Sequence, residues 1–316
     1  MKYLILFLSF TISLNARPAS FKNPNKAKAY NYIISDSSGK SGEKSVPGKV
    51  RFSNPEAMRE FFRYAPDRKP LVFAHRGGTS AGYPENCIAT FQHTLETVTP
   101  FFETDPHLTK DSVIVLLHDG VLDRTTTGKG KLSDYTWEEV KKLRLKDPEG
   151  NVTNYRIPTL EEALRWSKGK AVFMLDKKDV PLAMLADRIK KLNATSRVII
   201  SAYTLEEAKY HYSQNPDIML EAFLKNEKEF AEYQSSGIPW ENLFAYVSQP
   251  KEKKFYDLLH ANGVMAMVYT ATVIEKQPVE KRLQDYKRAI EGGADLLLSD
   301  RVKEVAEVVY NLRTNK

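Results

Sequence analysis

Eight short runs rich in apolar and β-branched residues recur between Leu71 and Ser299, and the stretches between them carry helical spacing. The runs are Leu71–Ala74, Phe101–Asp105, Ala171–Asp176, Val198–Ala202, Ile218–Ala222, Leu243–Val247, Val264–Tyr269 and Asp295–Ser299. Most are apolar without interruption, as expected for parallel strands buried on both faces. Between them, Ile88, Phe91, Leu95 and Val98 recur at helical intervals. Thr159 with Glu162, and Thr204 with Glu207, read as capping boxes. Asn262-Gly263 and Gly292-Gly293 read as helix stops. Strand and helix alternating eight times predict a (β/α)8 TIM barrel. The alternative is an open doubly wound sheet, but no Gly-rich dinucleotide fingerprint follows any of the strands. No repeat of solenoid length is present.

One stretch breaks the alternation. After Asp105, Thr109-Lys110-Asp111 reads as a turn and Val113–Leu117 as a further strand, expected to form a hairpin with the second barrel strand. The chain from about 119 to 157 then holds Thr125-Thr126-Thr127-Gly128, a capped helix from Thr136, and Pro148 with Gly150. It reads as a small insertion after the second barrel strand. Insertions at the carboxyl ends of barrel strands are where such folds build their sites.

The barrel pattern leaves the first residues unexplained. Lys2 followed by the apolar stretch Tyr3–Leu14 and the small residue Ala16 reads as a signal peptide over 1–16. That stretch is too short to span a bilayer comfortably. A retained signal anchor is the alternative reading. A polar, turn-rich arm follows over 17–50, and residues 51–316 form the barrel domain, its first helix starting at Asn54-Pro55 and running to about Tyr64. The expected product is exported, periplasmic or extracellular, with no stable membrane insertion. The single cysteine, Cys87, excludes a disulfide framework and a thiolate metal cluster, and lies too far downstream for an amino-terminal lipid anchor. It reads as a small buried residue at a helix start. The net charge is +7, but lysines and arginines are spread among acids. The run Lys251 to Lys254 reads as the opening of a solvated helix. Such a bias favours anionic small molecules and does not make a nucleic-acid surface.

Chemistry-bearing residues gather at strand ends. Glu103 and Asp105, two apart on a strand, project to one face with bases roughly 6.5–7 Å apart. Two inward acids with no counter-charge would repel, and a cation resolves that conflict. An outward, solvated pair is the alternative. Asp176 ends the next barrel strand, with Lys178 two residues on. Three carboxylates would suit magnesium, calcium or manganese and not zinc. His75 and His118 each end a strand, and Arg76 follows His75 ahead of Gly77-Gly78. His93, His107, His211 and His260 read as helix-surface or loop residues without a partner. A cation, a guanidinium, a lysine and two imidazoles suit phosphate-ester cleavage. One imidazole takes a proton from the attacking hydroxyl and the other protonates the departing alkoxide.

His75-Arg76-Gly77-Gly78, Pro84-Glu85-Asn86, Glu103-Thr104-Asp105 and Leu108-Thr109-Lys110-Asp111 running to His118-Asp119 together closely resemble the glycerophosphodiester phosphodiesterase family. Leu122-Asp123-Arg124-Thr125-Thr126 with Gly128 and Gly130, Ile157-Pro158-Thr159-Leu160-Glu161-Glu162, and Ser299-Asp300-Arg301 continue the match. Singly these motifs are weak; in order, over about residues 70 to 301, they are specific. The resemblance implies a (β/α)8 barrel that hydrolyses glycerophosphodiesters to an alcohol and glycerol 3-phosphate with one divalent cation, Mg2+ or Ca2+. It implies His75 and His118 as the acid–base pair, and Glu103, Asp105 and Asp176 as metal ligands. Arg76 and Lys178 would face phosphate, Tyr269 would shape the wall at the glycerol moiety, and Glu85 and Asn86 would brace the site.

Three positions depart from the family pattern. Asp176-Lys177-Lys178 replaces Glu-x-Lys, Pro106-His107 replaces a hydrophobic and polar pair, and Tyr269-Thr270 stands where Trp-Thr is frequent. Attack by the substrate's own glycerol hydroxyl, giving a cyclic phosphate that is then hydrolysed, is the expected route. Direct attack by water is the other. Asp-x-Lys also occurs in sphingomyelinase D-like enzymes, so ring-forming phospholipid cleavage is the alternative enzyme reading. A phosphate-ester binding module without turnover is the alternative outside enzymes. No partner beyond the small-molecule substrate is implied, and the oligomeric state is left open.

Overall fold

The computed structural model describes residues 49–99 and 101–314. The expected signal peptide and nearly all of the expected polar arm lie outside them. The chain opens with helix α1 (Pro55–Phe61), capped by the Asn54 side chain, which accepts from Ala57 N. Strand β1 (Leu71–Ala74), helix α2 (Ile88–Thr97) and strand β2 (Phe101–Thr104) follow. Then come β3 (Pro106–Leu108), β4 (Ile114–Leu116), α3 (Trp137–Val140) and α4 (Leu160–Ser167). From there the alternation is regular: β5 (Val172–Leu175), α5 (Leu182–Lys191), β6 (Val198–Ala202), α6 (Leu205–Gln214), β7 (Met219–Phe223) and α7 (Glu227–Gln234). The chain finishes through β8 (Leu243–Ser248), α8 (Lys253–Ala261), β9 (Ala266–Tyr269), α9 (Val279–Gly292), β10 (Leu296–Ser299) and α10 (Val302–Thr314).

Eight of these strands close a parallel barrel in the order β1-β10-β9-β8-β7-β6-β5-β2. Each of the eight expected barrel strands is one, with ends that move by a residue or two. Strand alternation divides the core into two shells. Val72, Ala74, Phe102, Phe173, Leu175, Ile200, Leu220, Ala245 and Val268 face outward onto the helices. Phe73, Phe101, Met174, Ile199, Met219, Phe244, Met267 and Leu296 fill the lumen. At its amino end the lumen is closed by α1: Phe61 stacks on Phe101 at 5.8 Å, and Phe62 packs on Phe73 and Phe244 at 6.1 and 5.8 Å. Apolar filling below and an aromatic plug at the base close the lumen there, and its acids Glu103 and Glu221 stand towards the carboxyl ends of the strands.

One strand pairing differs from expectation. Val113–Leu117 does form a hairpin strand, but its partner is β3 and not the second barrel strand. Pro106, His107 and Leu108 pair antiparallel with Leu116, Val115 and Ile114 in a separate two-stranded sheet. The reason lies at Asp105, where the chain leaves the barrel; β2 itself is already flanked by β1 and β5 and has no free edge. The chain beyond β4 has its own small core of Val115, Leu117, Leu122, Leu132, Val140, Leu145 and Ile157, with Cys87 buried beside it at the start of α2. Both Thr136 and Thr159 complete capping boxes. Thr204 makes only half of one: it accepts from Glu207 N, while the Glu207 carboxylate turns to Tyr203 N.

Candidate active site

The site starts with the turn after β1. Arg76, Gly77 and Gly78 have φ of +49°, +90° and +80°, three successive left-handed residues. A Cβ on Gly77 would lie 2.5 Å from the ring of Phe91, which is fully buried. Glycine is therefore required there both for backbone conformation and for space. This turn aims the Arg76 N–H at Glu103 Oε2, 2.8 Å away, and the Arg76 guanidinium at Glu85 Oε2, 3.2 Å away. The Arg76 Nε is buried and has no hydrogen-bond partner.

Barrel register brings the acids together. Thr104 pairs with Leu175, so the residues that follow, Asp105 and Asp176, leave the sheet side by side. Glu103, Asp105 and Asp176 each offer an oxygen within 4.8 Å of the others. Asn86, 1% exposed, holds this corner: its Nδ2 donates to Asp105 Oδ2 at 2.6 Å, and its Oδ1 accepts from Asp105 N and from the Thr104 hydroxyl. Lys178 Nζ lies 2.7 Å from Asp176 Oδ2 and 3.1 Å from Asp105 Oδ1. The other Asp176 oxygen accepts from the Tyr203 hydroxyl at 2.5 Å.

These carboxylates are electrostatically unequal. Burial, then the charges of Asp105 and Asp176, pushes Glu103 well above the usual carboxylate range. Burial also pushes Asp105 up, but Lys178 and the Asn86 amide outweigh it and bring Asp105 below its ordinary value. Asp105 Oδ1 is buried and faces Lys178 Nζ at 3.1 Å. Three crowded carboxylates, one of them with its proton affinity raised by burial and by the charges of the other two, fit a hard divalent cation in all-oxygen ligation.

Both candidate imidazoles border this cluster, and each is tied to an aspartate through Nδ1. His75 Nδ1 donates to Asp300 Oδ1 at 2.5 Å, and its Nε2 points towards Glu103 Oε2 at 3.8 Å. The pairing follows from closure of the barrel, since Ala74 pairs with Ser299 and His75 and Asp300 come next in each strand. Burial pushes Asp300 up, but its bond with His75 and the nearby cations more than offset this and keep it low. Tyr269 packs on His75 with ring centroids 4.9 Å apart. His118 Nδ1 donates to Asp119 Oδ1 at 2.8 Å, and its imidazole lies close enough to Asp105 to help lower that carboxyl. Asp119 is held well below the usual carboxylate range, chiefly by its hydrogen bonds with Arg124.

The residues expected at the site therefore converge: His75, Arg76, Glu85, Asn86, Glu103, Asp105, His118, Asp176, Lys178 and Tyr269 form one connected set. Sequence reasoning did not give roles to Asp300, Asp119, Arg124 or Tyr203. For Asp300 a signal existed, an acid directly after the last strand of a barrel that closes on its first. Two of the histidines read as partnerless are not. His107 lies on β3, where Nε2 donates to the His118 carbonyl at 3.1 Å and Nδ1 lies 3.0 Å from Asp179. His260 bonds Asp295 at 2.9 Å and stacks on Tyr64 at 3.6 Å, near the amino end of the barrel.

Set at the mouth of a (β/α)8 barrel, these groups are of the types that hydrolysis of phosphoric diesters draws on. Residues 75–304 match the model of the glycerophosphoryl diester phosphodiesterase family. A glycerophosphodiester phosphodiesterase of Caldanaerobacter subterraneus subsp. tengcongensis is 31% identical over 255 residues, spanning 73% of this chain and 94% of that one. The crystal structure of a glycerophosphoryl diester phosphodiesterase from Parabacteroides distasonis superposes with a TM-score of 0.81 at 48% identity, over 84% of this chain and 94% of that one. An Oleispira antarctica phosphodiesterase, solved in complex with the product sn-glycerol-3-phosphate, shares the fold at a TM-score of 0.59 and 19% identity, over 77% of this chain and 97% of that one. This chain belongs to the glycerophosphoryl diester phosphodiesterase family.

Proposed function

We propose that the chain hydrolyses glycerophosphodiesters to an alcohol and glycerol 3-phosphate, using one divalent cation, Mg2+ or Ca2+, held by Glu103, Asp105 and Asp176. The observation that carries this reading is the pair of carboxylate-bound imidazoles bordering the three acids. Fixing Nδ1–H on an aspartate leaves Nε2 as the nitrogen that exchanges protons, and does so at both histidines. When bound, the cation neutralises charge on the phosphoryl oxygens. Arg76, whose Nε is unpartnered, and Lys178 add donors to those same oxygens. One imidazole removes the proton from the glycerol hydroxyl as its oxygen attacks phosphorus, and the other delivers a proton to the alcohol oxygen as that P–O bond breaks. Water then opens the cyclic phosphate with the two imidazoles in exchanged roles. Tyr269, against His75, forms the wall at the glycerol moiety. The product carried by the Oleispira antarctica relative is in keeping with glycerol 3-phosphate as the product here.

We also read residues 1–16 as an export signal, which the amino terminus of the mature protein in a fractionated culture would test. Among the described residues no helix is long and apolar enough to cross a membrane.

The enzymatic test uses purified protein with glycerophosphocholine and glycerophosphoethanolamine. Glycerol 3-phosphate should appear, EDTA should stop its release, and Mg2+ or Ca2+ should restore it. His75→Ala and His118→Ala should each lose about 10²–10⁴-fold in kcat. Full turnover in either variant removes that imidazole from the mechanism, and unchanged metal titration in Glu103→Ala removes the ligand assignment.

A further inference from the structure

The motif Leu122–Thr126 has so far no part in the reaction, yet one of its side chains reaches both halves of the site. Arg124 donates through Nε to Asp119 Oδ2 at 2.6 Å and through one terminal nitrogen to Asp119 Oδ1 at 3.0 Å. The same guanidinium meets both oxygens of Glu85, at 2.8 and 2.9 Å. Two bidentate carboxylate pairs on one guanidinium are geometrically demanding, and only arginine offers the planar fork that allows them.

Each of these carboxylates has one further partner, and in each case it belongs to the reacting set. Asp119 Oδ1 accepts from His118 Nδ1, and Glu85 Oε2 accepts from Arg76. The result is one line of five side chains, His118–Asp119–Arg124–Glu85–Arg76. It joins the chain after β4 to the left-handed turn after β1, two segments that the barrel sheet does not connect. Arg124 itself is about half exposed, so its contacts are polar and its removal leaves no core cavity.

We propose that Arg124 is a positioning residue of the reaction, holding His118 through Asp119 and Arg76 through Glu85 in one geometry. This rests on the assignment of His118 and Arg76 given above. The groups facing His118 are Asp119, Asp105 and, at its backbone carbonyl, His107. Arg124 offsets the charge of Asp119. Without it, Asp119 and Glu85 each lose two donors, and neither His118 nor Arg76 is held in one orientation.

The test compares Arg124→Met and Arg124→Lys with Asp119→Asn and with the double variant Arg124→Met/Asp119→Asn. Arg124→Met should lower kcat roughly 10- to 100-fold per folded molecule with KM changed less than about threefold, while Mg2+ titration followed by thermal shift stays as in the wild type. Arg124→Lys, with one point charge in place of the fork, should restore little. Added guanidinium ion at millimolar level should recover part of the Arg124→Met rate. In the double variant the loss should fall short of the product of the single losses, because Arg124 acts partly through Asp119. Unchanged kcat in Arg124→Met overturns the proposal, as does a loss accounted for wholly by a smaller folded fraction. If His118→Ala also turns over normally, the assignment of His118 fails first. If His118→Ala is inactive while Arg124→Met is normal, Arg124 alone is refuted.

Discussion

Glu221 offers a quantitative check on the electrostatics of the barrel mouth. It stands on β7 opposite Ser201 of β6, is 3% exposed, and accepts the Ser201 hydroxyl. Burial pushes its carboxyl from an ordinary 4.5 up to about 8; the Ser201 bond opposes the shift and the charge of Asp176 adds to it. The folded state therefore keeps a proton that the unfolded chain releases. The stability linked to that proton is present in full below about pH 4.5, is lost as pH rises towards 8, and stays lost above it. At about 1.4 kcal/mol per pH unit, the loss is roughly 3 kcal/mol at pH 7 and about 4 at pH 8. That is a large share of the 5–15 kcal/mol typical of domain stability.

Glu221→Gln keeps the acceptor for Ser201 and cannot ionise, so the variant escapes this loss. Urea unfolding of both proteins in EDTA, at pH values from 4.5 to 8, should show the variant gaining on the wild type by ~3 kcal/mol between pH 4.5 and 7. Groups that titrate alike in both proteins cancel in the difference. A difference that stays constant across this range would refute the reasoning, and would mean that Glu221 ionises in the folded protein much as it does in water.

Two further outcomes follow from geometry. Gly77→Ala places a Cβ against the Phe91 ring at a φ of +90°. Backbone strain and overpacking together should destabilise the protein by roughly 2–5 kcal/mol, read as a Tm lower by about 5–15 °C; an unchanged Tm would show that the turn after β1 is not rigid. Asp300→Asn removes the charge beside His75 Nδ1 and allows the amide to favour the wrong tautomer, so kcat should fall by about 10²–10⁴ with KM and metal titration little changed. Wild-type kcat in this variant would show that His75 needs no carboxylate.

Much of the barrel was legible in the sequence because its signals are local. Uninterrupted apolar runs such as Leu71–Ala74 and Val198–Ala202 need no distant information to be read as buried strands. Thr159 with Glu162 marks a helix start within four residues. Strand ends also marked the candidate site, since Glu103, Asp176, His75 and His118 stand where apolar runs stop. Less legible was the partner of Ile114–Leu116, because antiparallel pairing depends on where the preceding strand leaves the barrel.

The sequence by itself determined the barrel and marked the strand ends where the candidate acids, imidazoles and basic side chains stand. Only the tertiary structure decided which carboxylate orients each imidazole, that Tyr203 holds Asp176, that one guanidinium spans Glu85 and Asp119, and that Glu221 is buried beside Ser201. Periodicity and capping are written within a few neighbouring residues. Asp300 meets His75 across 225 positions of chain, and only barrel closure and strand register bring the two together.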